Sequence, residues 1–187
     1  MKTAKFLIAA CLVACLSAAA YAQPKNSSYK KGYRADVELG TSIYSNAHPV
    51  KLGYTVSTSH GYCFGNGLYV GGGTGIFLDK QIAYGRDRNF IFCLPVFGDV
   101  KYSFVDKGAS PFFELKGGGY FDYTDCGTGY FVRPAIGLDA KQFSISVGID
   151  YKWAFYRDVQ YTEYVIKKVT GMSVGNTGIY VGISYNF

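Results

Sequence analysis

The sequence predicts an all-β chain, an eight-stranded antiparallel up-and-down transmembrane β-barrel, and three observations lead there. From Tyr33 onward, apolar residues alternate with small or polar ones at the two-residue period of a strand. Every charge within the alternating segments falls on one parity and none on the other. The composition, with 18 Tyr, 14 Phe and 24 Gly in 187 residues, is that of an ordered chain, and helix formers are scarce after the first twenty residues.

Residues 1–22 read as a signal peptide. Lys2 and Lys5 form a basic start, an apolar run follows from Phe6 to about Ala19, and Ala20-Tyr21-Ala22 is a small-residue site for cleavage between Ala22 and Gln23. The run is too short to cross a bilayer as a helix. Leu12-Val13-Ala14-Cys15 also fits a lipoprotein box, but the residues after Cys15 stay apolar through Ala20, where a lipoprotein turns polar. Loss of Lys2 and Lys5 lowers the formal charge from +6 to +4, too weak and scattered for a nucleic-acid partner. Residues 23–32 form a polar, basic tail before the barrel domain of residues 33–187.

Eight alternating segments follow. The first places Ala35, Val37, Leu39, Thr41 and Ile43 opposite Arg34, Asp36, Glu38, Gly40 and Ser42. After a turn at residues 45–49, Val50, Leu52, Tyr54, Val56 and Thr58 oppose Lys51, Gly53, Thr55, Ser57 and Ser59. Residues 61–67, with Gly65-Asn66-Gly67, form a hairpin connection. Leu68, Val70, Thr74 and Ile76 then oppose Tyr69, Gly71, Gly73 and Gly75, and a charged loop is expected over residues 79–89.

The fourth segment sets Phe90, Phe92, Leu94, Val96, Val100, Tyr102 and Phe104 against Cys93, Pro95, Asp99, Lys101 and Ser103. Pro95 lacks a ladder donor, so a bulge or distortion is expected there. Beyond a tight turn at Asp106-Lys107-Gly108, Phe113, Leu115, Gly117, Gly119 and Phe121 oppose Glu114, Lys116, Gly118 and Tyr120. After a loop at 122–128, Tyr130, Val132, Ile136 and Leu138 oppose Arg133, Ala135, Gly137 and Asp139. A turn at Lys141-Gln142 leads to Phe143, Ile145, Val147, Ile149, Tyr151 and Trp153, opposite Ser144, Ser146, Gly148, Asp150 and Lys152. The longest connection, residues 154–176, precedes the last strand, in which Ile179, Val181, Ile183, Tyr185 and Phe187 share one face.

Alternation alone fits a soluble barrel equally well; the charges decide the orientation. Arg34, Asp36, Glu38, Lys51, Asp99, Lys101, Glu114, Lys116, Arg133, Asp139, Asp150 and Lys152 all lie on the polar parity. A basic residue facing mid-bilayer costs about 2–4 kcal/mol, so a lipid-facing parity should exclude charge. The polar parity is otherwise mostly Gly, Ser and Thr, which leaves room in a narrow eight-stranded interior for these six cations and six anions to pair into a network. Tyr33, Tyr102, Tyr130, Tyr151, Trp153 and Tyr185, near strand ends, suit interfacial girdles.

With its terminal Phe187 preceded by apolar residues at every second position, the chain resembles the small outer-membrane β-barrel proteins of Gram-negative bacteria over nearly all of Tyr33 to Phe187. The resemblance implies location in the cell outer membrane and recognition of Tyr185 and Phe187 by the barrel-assembly machinery. It also implies periplasmic termini with the longer loops outside. Some members are lipid A deacylases or acyltransferases that use His with Ser and an acid. Here His48 lies near Ser45, and His60 near Ser57 and Ser59, with no acid close in sequence to either. A non-enzymatic structural, surface-interaction or small-ligand role is therefore expected, with a lipid A-modifying enzyme or a carrier of small hydrophobic molecules as alternatives.

Arg86, Arg88, Arg157, Lys167 and Lys168 in the loops could meet lipopolysaccharide phosphates among the outer-membrane lipids. The glycines from Gly65 to Gly75 lack the Gly-Lys-Ser/Thr ending of a phosphate loop. Cys63, Cys93 and Cys126 are odd in number and unpatterned, which argues against a disulfide framework and leaves pairing of Cys93 with Cys126 open. No metal-ligand spacing occurs, so no cofactor or metal is expected, and the chain is read as a monomer.

Overall fold

The computed structural model describes residues 30–44, 51–83, 86–106, 109–123, 127–140, 142–162 and 165–187, with the side chains of all but residues 51, 81–89 and 156–174. The leader with Ala22 and Gln23, Cys15, His48 and Cys126 lie outside the described residues. The strands are β1 Gly32–Tyr44, β2 Lys51–Cys63, β3 Leu68–Ala83, β4 Arg86–Ser103, β5 Ala109–Asp122, β6 Thr128–Ala140, β7 Phe143–Thr162 and β8 Val165–Asn186. Each pairs antiparallel with the next, and β8 returns to β1 to close an eight-stranded barrel. Asp36–Tyr44 face Asn186–Gly178 across the closing seam. Closure leaves no sheet edge within the wall, the condition for strands to cross a medium that cannot hydrogen-bond.

Two local expectations are corrected. The expected charged loop at 79–89 is mostly strand: β3 runs to Ala83 and β4 begins at Arg86, so Asp79 belongs to the wall. The expected long connection at 154–176 is likewise a hairpin continued by β7 and β8, with Phe155 opposite Ser173 and Gln160 opposite Lys168. Its β-branched and aromatic residues favour strand, and its charges obscure the period. At Pro95 the expected distortion takes the form of a gap and not a bulge: the β3–β4 ladder has no pair at Gly75/Pro95 or Ile76/Leu94, yet its register is kept. Thr74 faces Val96 and Phe77 faces Cys93 in one register, and the Thr74 hydroxyl donates to the Pro95 carbonyl at 2.8 Å. The shift between these strands lies at Asp79/Gln81.

Apolar side chains cover the outside, where Val96 is 70% and Ile136 67% exposed. Rings gather in two belts. At the end bearing the termini, Tyr62 packs against Phe64, Tyr102 against Phe104, Phe143 against Tyr185, and Tyr185 against Phe187. Toward the other end, Tyr130 stacks on Trp153 and Trp153 on Tyr151. On β7 the belts are marked by Phe143 and Trp153. That separation, at the usual strand rise and a tilt near 40°, spans roughly 25 Å, the height of a transmembrane barrel's apolar band. Tyr33, Tyr102, Tyr130, Tyr151, Trp153 and Tyr185 all lie on the outward face of these belts.

An Ile136→Arg substitution on this face is expected to cost about 2–4 kcal/mol, read from urea unfolding in lipid vesicles. A loss below about 0.5 kcal/mol, the range of an ordinary surface substitution, would mean that the face meets water.

Candidate functional site

The inner face of the barrel carries the charges, because the strand period sends every second residue there. Near the termini, Arg34 Nε lies 3.0 Å from Asp36 Oδ1, and its Nη2 lies 3.9 Å from Asp139. Lys101 Nζ meets Asp139 at 2.6 Å, and Ser103 and Ser144 also donate to that carboxylate.

Above this group, Lys116 Nζ bonds Glu38 and lies 3.4 Å from Glu114 and 4.0 Å from Asp99. Glu38 also accepts from Tyr180 Oη at 2.6 Å and stands 3.6 Å from Arg133 Nη1. Arg133 continues to Asp150 at 3.2 Å. Asp150 accepts from the Ser42 and Tyr44 hydroxyls and lies 3.8 Å from Lys152, which reaches Asp79 at 2.9 Å. Glu38, Lys116, Arg133, Asp150, Lys152 and Asp79 thus make one chain of ion pairs up the lumen.

The structure brings eleven of the twelve sequence-selected charges onto this inner face, all buried or nearly so. The side chain of Lys51, the twelfth, lies outside those described. Two further inner acids, Asp79 and Asp122, fall in stretches expected to be loops. Asp99 is fully buried, and neither of its carboxylate oxygens accepts a hydrogen bond among the described residues. Lys116 is therefore shared among three carboxylates.

Aromatic rings stand among the small residues of the inner face and complete the lumen. Tyr44, Tyr69, Phe77, Phe97, Phe112, Tyr120, Phe131 and Tyr180 are all buried inside. Their parity was legible: Tyr69 shares it with Gly71, Tyr120 with Lys116, and Tyr180 with Gly182. Six of these rings, those of Tyr44, Tyr69, Phe97, Phe112, Tyr120 and Tyr180, lie over a glycine of a neighbouring position. A methyl group at Gly73 would strike Phe97, one at Gly137 would strike Phe112, and one at Gly40 or Gly182 would strike Tyr180. The rings also face cations, with Lys101 Nζ 3.7 Å from the Phe112 centroid and Arg133 3.8 Å from that of Tyr180. Phe77 packs on Phe131 and Tyr120, and Phe97 on Phe131, as an apolar cluster on the β3–β6 side.

His60 lies on the outer face. Its Nδ1 is 2.5 Å from Tyr33 Oη and its Nε2 3.2 Å from Thr58 Oγ1. Ser57 and Ser59, one residue out of phase, are buried inside and do not join it. Cys63 and Cys93 are both buried, on β2 and β4. Among the described residues no group of His, Cys, Asp and Glu is arranged to hold a metal ion.

No family model and no curated protein sequence matches the chain. Among solved structures, neisserial surface protein A (NspA) is similar at a TM-score of 0.51 and 13% identity, over 84% of this chain and 99% of that one. A major outer membrane protein from Thermus thermophilus aligns at a TM-score of 0.35 and 14% identity, over 83% of this chain and 100% of that one.

Removing Lys116 leaves Glu38, Asp99 and Glu114 facing one another, whereas removing Glu114 leaves Lys116 with Glu38. Lys116→Met is therefore expected to cost about 3–5 kcal/mol and Glu114→Gln clearly less, both measured by urea unfolding of folded protein in detergent. The reverse order would show that Glu114 is the main partner of Lys116.

Proposed function

We propose that this chain, whose fold is that of the small eight-stranded outer-membrane β-barrel proteins, is an integral outer-membrane protein with a non-enzymatic structural or surface-interaction role. The inversion of chemistry between its faces carries the reading: an apolar exterior ringed by two aromatic belts, and an interior where ionised side chains satisfy one another. Water would leave that exterior uncovered, whereas lipid covers it at no cost.

The lumen is filled and does not line a passage. Arg133 touches Glu38, Asp150 and Thr55 and faces the ring of Tyr180, so one side chain bridges most of the interior. An eight-stranded barrel is only wide enough for its side chains, and these are held by partners. The protein accordingly acts at its surface. Arg86, Arg88, Arg157, Lys167 and Lys168 lie toward the end remote from the termini, where basic groups can meet the phosphates of lipopolysaccharide. The termini are assigned to the periplasm, and Tyr185 and Phe187 to recognition by the insertion machinery. Phe187 suits a signal because it stands just past the ladder, its amide donating to the Ala35 carbonyl at 2.8 Å.

The sealed lumen predicts no steady single-channel current for purified protein in planar bilayers. Large, stable currents would overturn it. For topology, an epitope inserted between Thr162 and Val165 should be reached by antibody on intact cells, and one inserted between Asp106 and Ala109 should not; equal access would reverse or abolish the assigned orientation. Deleting Phe187 removes at most about 3 kcal/mol of burial. A signal role predicts that outer-membrane yield in cells falls far more than the thermal stability of protein refolded in detergent. A yield unchanged, or lowered only in proportion to stability, would make Phe187 a packing residue.

A further inference from the structure

β1 is held differently from the other strands. Its ladder to β8 covers only Asp36–Tyr44, whereas β7 and β8 pair from Phe143 to Thr162. The middle of that seam is Gly40 opposite Gly182, two inward positions with no side chain of their own. A single ring, that of Tyr180, lies over both.

What holds the ring is not on β8. Its hydroxyl donates to Glu38 of β1 at 2.6 Å, and its face meets Arg133 of β6 at 3.8 Å. Glu38 is in turn bonded by Lys116 of β5 and approached by Arg133. The rest of β1's inner face is clamped in the same manner, Arg34 reaching Asp139 of β6 and Ser42 and Tyr44 reaching Asp150 of β7. These partners sit on β5, β6 and β7, across the lumen from β1 or one strand beyond its ladder neighbour.

We propose that Glu38 is a closure latch: the β1–β8 seam is locked when Glu38 is taken by Tyr180, Lys116 and Arg133, and opens locally before any other seam when it is not. The physical reason is that every other ladder is longer, whereas this shortest one is bridged over its central glycines by a ring anchored through Glu38. Closing also has an entropic cost, because the seam joins the two ends of the chain and its loop is the longest in the molecule. Interactions that hold it must therefore be non-local, and Glu38 collects three of them at one carboxylate. The latch goes beyond the surface role proposed above and does not rest on it, since it concerns only the wall.

Amide hydrogen exchange of the folded protein in detergent micelles, read seam by seam, tests this. Glu38→Gln keeps the shape of the side chain and removes its charge. Exchange of the amides paired across β1 and β8, from Leu39 to Ile43 and from Ile179 to Ile183, is expected to rise roughly tenfold. Amides across the β4–β5 seam should change less than about twofold. Tyr180→Phe keeps the ring over the glycines and removes only the hydroxyl, so it remains informative if Glu38→Gln does not fold, and it should also speed seam exchange selectively. Glu114→Gln, which loses a Lys116 contact without touching the seam, should leave the ratio between seams at its parent value. As a second readout, a disulfide between Leu39→Cys and Ile183→Cys, register partners on the outer face, should restore slow seam exchange in the Glu38→Gln background. Uniform acceleration in all seams, or no seam-specific change in either Glu38→Gln or Tyr180→Phe, would overturn the latch.

Discussion

A chain that crosses lipid as strands has to satisfy every backbone donor and acceptor within its own wall, and closure of β8 onto β1 is the step on which that depends. All other seams join strands adjacent in sequence, so a local hairpin supplies the pairing. The last seam joins residues from opposite ends of the sequence. The inner network supplies what local sequence cannot, since β1 is tied through its inward side chains to β5, β6, β7 and β8. The fold and the lumen are thus a single problem: the charges are inside because lipid excludes them, and once inside they draw the wall together.

Buried ion pairs do not in general stabilise a protein against a well-packed apolar core. The lumen answers that with density of partners and with rings. Asp139 receives Lys101, Ser103 and Ser144, and Asp150 receives Arg133, Ser42 and Tyr44, so these two carboxylates have donors for both oxygens. Where ions would leave gaps, Phe77, Phe97, Phe112, Phe131 and Tyr180 fill them, and glycines make the space that Phe97, Phe112 and Tyr180 need. Gly40, Gly73, Gly137 and Gly182 are therefore each half of a packed pair, the other half being an aromatic ring on an adjacent strand or two residues along.

The architecture was legible because strand period and lipid exclusion act on every residue in the same way. The parity of Arg34, Glu38, Lys116 and Asp150 follows from counting by two, and the number of strands from counting segments. Partner choice was not legible. Lys101 stands directly opposite Glu114 in the ladder, yet its ammonium goes to Asp139, two strands away. Side chains as long as lysine and arginine cross a narrow barrel, so their partners are set by height within the lumen and not by sequence neighbours. The same limit explains Asp79. A run of charges reads as a solvated loop from its composition, although its first member is the acid that Lys152 needs.

Strand length separates what the membrane requires from what the protein adds. About 9–11 residues suffice to cross the apolar band. β1, β2 and β6, at 13 residues each, exceed that little, whereas β7 and β8 run to 20 and 22. The surplus lies beyond Phe155, past the belt remote from the termini, and there β7 and β8 pair only with each other among the described residues. Stability of the wall gives no reason for such an extension, because lipid cannot select residues that it does not touch. The outer part of the β7–β8 hairpin is thus the portion of this barrel whose sequence is free to serve contact with the surroundings, and it is also where the strand period is hardest to read. Both follow from one cause: outside the bilayer, neither face of a strand is forbidden to carry charge.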